Sequence, residues 1–73
     1  MRKRYWVTCD RDFTESNGTH SYSEMWTTDD FMCGAVKFHR EIATNRWDEI
    51  LLWDSEKNQI IDWWDSEDGY RMV

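Results

Sequence analysis

The sequence contains no proline, three isolated glycines and no apolar run longer than the four residues Ile50-Leu51-Leu52-Trp53. Without a stretch rich in proline, glycine or serine there is no candidate linker, so the 73 residues read as a single domain. A membrane-spanning helix needs about 20 consecutive apolar residues, which this chain does not supply. Gly18, Gly34 and Gly69 are too far apart to form a phosphate-cradling loop. Positive charge is also scarce. Nine basic residues stand against 15 acidic ones, a net charge of −6, which argues against a general binder of nucleic-acid backbones. The opening Met1-Arg2-Lys3-Arg4 imitates a signal-peptide n-region, but only Tyr5-Trp6-Val7 follows where about 7–15 apolar residues are required. A soluble, cytoplasmic protein is expected, with no membrane contact.

Cysteine is limited to Cys9 and Cys33. A bridge between them would close a loop of about 25 residues and contribute roughly 3 kcal/mol in the chain-entropy model. Two small buried hydrophobes in a reducing compartment is the favoured alternative. A metal site would have to combine Cys9, His20, Cys33 and His39, whose wide spacing lacks the short paired knuckles that pre-organise zinc ligands. No metal or other cofactor is expected. Neither His20 nor His39 sits in a recognisable nucleophile–base motif, and Asp29/Asp30 is explained by a helix start, so no catalytic residue is assigned.

What the chain does have is aromatic surface: six Trp, three Tyr and three Phe. Each buried Trp removes about 150–250 Å² from water. A few could stabilise so short a chain, but six exceed one small core, so some should lie at the surface. Charge is segregated as well. Residues 1–46 carry seven basic and seven acidic residues, whereas residues 47–73 carry two basic and eight acidic residues together with four of the tryptophans. This asymmetry marks one face or end of the domain.

The local patterns predict an α+β fold: a small antiparallel sheet with one helix packed on a face, in ββαββ order. Arg4–Cys9 favours extended geometry. Asn17-Gly18 signals a turn, and Thr19–Trp26 alternates, with His20, Tyr22, Glu24 and Trp26 on one face. Thr27 or Thr28 can cap a helix with Asp29 and Asp30 in its first turn. Phe31, Ala35, Phe38 and Ile42 form its apolar stripe, with Lys37 and Arg40 opposite and Asn45 as its stop. Gly34 within it costs about 1 kcal/mol relative to Ala, which a close approach of helix to sheet would explain. Trp47–Trp53 and Gln59–Trp64 form a second hairpin around Asp54–Asn58, and the tail can bend through Asp68-Gly69 into an extended piece at Tyr70–Val73.

Two features of this hairpin bear on function. Trp53-Asp54-Ser55-Glu56 recurs as Trp64-Asp65-Ser66-Glu67, which is either turn chemistry used twice or a repeated aromatic-plus-carboxylate unit on neighbouring loops. Both faces of the hairpin also carry large apolar groups. Leu51 and Trp53 lie on one side and Ile50 and Leu52 on the other, while Ile61 and Trp63 oppose Ile60, Asp62 and Trp64. One helix covers one face, so the other is expected to be open. An apolar patch rimmed by acids marks an interaction site, and Trp is a frequent anchor there.

The candidate partner-binding residues are Trp53, Asp54, Glu56, Asp62, Trp63, Trp64, Asp65, Glu67 and Asp68. A non-enzymatic inhibitor or adaptor is expected, engaging a basic surface of a nucleic-acid-handling protein through this acidic, Trp-rich hairpin. In size, charge and aromatic content the chain is similar to phage anti-defence proteins, including anti-CRISPR and anti-restriction proteins, a group without a common fold. The alternative is a homo-oligomeric structural or assembly protein that uses the same hairpin as its subunit interface. Arg2-Lys3-Arg4 could touch nucleic acid weakly, but pairing with the acidic half is favoured over direct nucleic-acid binding.

Overall fold

The computed structural model describes residues 3–73, which form five strands and one helix in the order ββαβββ. The strands are β1 (Tyr5–Glu15), β2 (Gly18–Thr28), β3 (Glu49–Asp54), β4 (Gln59–Asp65) and β5 (Gly69–Arg71), with α1 (Phe31–Ala43) between β2 and β3. All pairings are antiparallel, and the single open sheet runs β2-β1-β3-β4-β5. The expected ββαββ order is therefore corrected by a fifth strand. At the Asp65–Gly69 bend, Gly69 takes φ +75° and the Asp65 carboxylate accepts the backbone N–H groups of Glu67 and Asp68. Tyr70 and Arg71 are thereby turned back against Trp64 and Trp63.

The first hairpin is longer than its apolar residues suggest. β1 continues through the polar residues 10–15, because each finds a cross-strand partner in β2. Ser21 and Ser23 donate to Asp12 and Asp10, and Phe13 stacks on His20 at 5.4 Å. β1 pairs with β3 only from Tyr5 to Asp10, so the rest of this hairpin projects as a two-stranded arm.

The helix starts two or three residues later than the threonines imply. Asp30 is its N-cap, accepting from Cys33 N–H, and Thr44 closes it before Asn45 at φ 57°. Phe38 is fully buried and Ile42 packs on the core, while Phe31 at the start of the stripe stays exposed and meets Tyr5 edge-on. A Cβ on Gly34 would lie 3.2 Å from Leu52 Cδ1. Glycine is thus what lets the helix backbone approach the sheet.

Beneath the helix the core consists of Val7, Cys9, Phe38, Trp47, Ile50 and Leu52. Trp47 is the one tryptophan fully inside, stacked on Tyr22, with its indole N–H on Glu41. Cys9 belongs to this core, and burial pushes its thiol up to about 12; Cys33 is exposed on the helix, not buried as the sequence suggested. Both thiols are free.

Simple alternation fails at one place in the second hairpin. The register shifts between Leu52 and Trp53, which sets Ile60 opposite Trp53 on the open side while Ile61 packs against the core. The two isoleucines thus exchange the faces that alternation assigns them.

Candidate functional site

With α1 on one side, strand alternation assigns Trp6, Thr8, Asp10 and Asp12 of β1 and Glu49, Leu51 and Trp53 of β3 to the opposite, uncovered face. Trp6 stands across from Trp53 and Thr8 across from Leu51, and Leu51 in turn faces Trp63 of β4. Three tryptophans and a leucine therefore form one continuous band over the three central strands. Met25 of β2 borders it, 61% exposed. Between Trp6, Thr8, Met25, Trp53, Ser55 and Asn58 lies a shallow recess of about 350 Å³.

The rings are held in place. Trp6 donates its indole N–H to the Lys3 carbonyl at 2.7 Å, and Trp63 donates to Glu49 Oε2 at 3.1 Å. The Arg71 guanidinium lies 4.8 Å from the centre of the Trp63 ring. With their polar atoms satisfied, the indoles present apolar flanks that need no further hydrogen bond when a partner covers them.

One end of this face is acidic. Asp10, Asp12, Glu49 and Asp65 gather where β3 begins and β4 ends, and Asp48 accepts the backbone N–H of Asp12 at 2.7 Å beside them. Arg71 reaches into the group, bonding Asp65 at 2.7 Å and Asp68 at 2.8 Å.

Of the residues predicted from sequence, Trp53, Trp63 and Asp65 meet on this face. Trp64 is turned beneath the sheet against the core, and Asp62 sits opposite Leu52 on the helix side. The repeated tetrapeptide is explained by turn chemistry. Asp54 Oδ1 accepts the N–H groups of Glu56 and Lys57, and Asp65 Oδ1 accepts those of Glu67 and Asp68. Each aspartate then binds an arginine, Arg4 on Asp54 at 3.0 Å and Arg71 on Asp65 at 2.7 Å.

These contacts hold both carboxyls below the ordinary carboxylate range. The Arg4 hydrogen bond is the main cause at Asp54, and the Asp68 backbone N–H at Asp65. Asp54 is buried and unavailable to a partner. Its turn, with exposed Glu56, lies at the opposite end of β4 from Glu67 and Asp68, so the two copies do not form one patch.

The basic N-terminal residues pair internally, Lys3 with Asp29 at 3.4 Å and Arg4 with Asp54; Arg2 lies outside the described residues. His20 bonds Asn17 on the arm, and His39 bonds the Ala35 carbonyl on the helix. Among the described residues no group of three or more His, Cys, Asp or Glu is placed to hold a metal ion, and no helix is long and apolar enough to cross a membrane. Sequence reasoning missed Trp6, Asp10 and Asp12. Trp6 lies in the expected strand Arg4–Cys9, but Asp10 and Asp12 lie beyond it, and the pairing of β1 with β3 that brings all three to the face of Trp53 has no local signal. No family model, curated protein or solved structure matches the chain.

Proposed function

We propose that the chain works by binding another protein, as a non-enzymatic inhibitor or adaptor that occupies a basic surface on a nucleic-acid-handling protein, in the manner of phage anti-defence proteins. The observation that carries this reading is the band of Trp6, Trp53, Trp63 and Leu51 on the uncovered sheet face, with carboxylates collected at one end. Trp6 and Trp63, whose indole N–H groups are satisfied, supply contact area at little entropic cost. The acidic end supplies orientation and speed of encounter with a basic partner.

The test is capture from bacterial lysate at about 50 mM and about 500 mM salt, where the higher level screens exposed charges beyond a few Å. Wild-type protein and the Trp53→Ala/Trp63→Ala variant serve as paired baits. A nucleic-acid-handling protein retained by wild type at low salt, weakened at high salt and lost from the variant supports the proposal. Equal capture by both baits removes the tryptophan face from it. The self-association alternative finds its support on a different surface.

A further inference from the structure

We infer that β2 is the seam of a twofold dimer, in which the free edge of one copy's β2 pairs antiparallel with that of a second copy to make one ten-stranded sheet. The two edges of the five-stranded sheet differ sharply. β5 is three residues long and carries Arg71, a short and charged edge that discourages pairing. β2 is eleven residues long, with no proline, no lysine and no arginine, and it pairs with β1 in unbroken register. Apart from Glu24, paired with Arg46 at 3.4 Å, the usual guards against strand addition are therefore missing from one edge only.

The direction of the free groups follows from the hairpin. A two-residue turn makes Glu15 and Gly18 a hydrogen-bonded pair, and pairing then alternates along the strands. Even-numbered β2 residues thus bond to β1. In agreement, Arg4 and Asp10 of β1 offer their carbonyls to the β3 side, to Ser55 and Asp48. The N–H and C=O groups of Thr19, Ser21, Ser23, Met25 and Thr27 point outward.

An antiparallel register centred on Ser23 sets these five residues against one another and engages all of β2. Ser23 meets its own copy at the axis, and Met25 meets Ser21. On the helix side, His20 falls opposite Trp26 and Tyr22 opposite Glu24, so the single acidic residue of the strand never faces itself. Trp26, Met32, Val36 and Lys37 line a groove between this edge and the helix, with Met32 66% and Val36 46% exposed. The partner copy's arm, with its stacked Phe13 and His20, extends along that groove. A register that is self-complementary and brings no like charges together is the reason to assign a second copy of this chain, and not a foreign strand, as the occupant.

The inference does not rest on the proposed use of the tryptophan face. Its test is the mass of the full chain by light scattering during gel filtration, with amide hydrogen exchange on the same sample. The expected mass is twice that of the 9.0 kDa chain. The amides of residues 19, 21, 23, 25 and 27 should exchange on the order of tenfold or more slowly than those of Ser16 and Asn17 in the turn. Ser23→Lys should be monomeric, as should Ser23→Glu, and an equal mixture of the two should recover the dimer. A monomeric wild type overturns the inference. So does a wild-type dimer whose five outward amides exchange freely, or one dissociated by Trp63→Ala but not by Ser23→Lys. The exchange pattern is read on wild type, so a variant that fails to fold does not remove the test.

Discussion

Arg4 and Asp54 meet through two hydrogen bonds of 3.1 and 3.0 Å, which tie the start of β1 to the turn after β3. Because Asp54 has a depressed folded-state pKa, its contribution to stability is complete above the unfolded carboxylate value of about 4 and is lost as pH falls through the folded value. Urea titrations at a series of pH values should show a fall in stability below about pH 4, and Asp54→Asn should flatten that dependence while lowering stability at pH 7. The two thiols provide a second residue-scale test. Iodoacetamide should label Cys33 alone in the native protein and Cys9 only after denaturation, as counted by intact mass. Cys9 is buried with its pKa raised to about 12, so its protonated form favours the fold below about pH 9, and that contribution fades as pH rises toward 12. Asn45 is legible in the sequence because helix-end chemistry is local, and Gly34 stands out by its cost within a helix, although the Leu52 it admits lies on β3. The roles of Asp54 and Arg4 were not, since nothing in either neighbourhood points to the other.

The elements most easily read were those whose pattern lies within one segment. The helix stripe at Phe38 and Ile42 and the alternation of β2 needed only their own residues. The polar half of β1 carries no strand signal of its own, because its stabilising partners, Ser21, Ser23 and His20, lie on the next strand. The bulge at Leu52/Trp53 was equally hidden, because an extra residue leaves no local mark in a run of large apolar side chains. It has a sharp consequence for substitution. Ile61→Asp should destabilise by several kcal/mol, on the order of 3–5, because it places a charge against the core. Ile60→Asp, on the open side, should cost about 1 kcal/mol or less. Urea midpoints of the two variants check this order, and strict alternation demands the reverse.

Across the whole molecule, the acidic character that the sequence locates in residues 47–73 is divided by the meander. Glu56 lies at one end of the sheet and Glu67 and Asp68 at the other, because successive turns of a meander fall on opposite ends. Asp10 and Asp12, from the charge-balanced half, join the acidic end by way of the pairing of β1 with β3. The candidate face was therefore partly legible: its tryptophans in β3 and β4 were, and the contribution of β1 was not. That same pairing joins Tyr5 to Asp54 and places β1 beside β3 at the centre of the sheet. Ile50 and Leu52, on which the helix packs, both come from β3. A fragment of residues 1–46 should accordingly show no cooperative urea transition by tryptophan fluorescence, although it holds β1, β2 and α1 in full. During synthesis the first hairpin and the helix leave the ribosome before the strand that completes their core, with Val7, Cys9 and Phe38 still uncovered. Whatever shields that incomplete core until residues 44–54 have emerged should therefore govern how much of the product escapes aggregation.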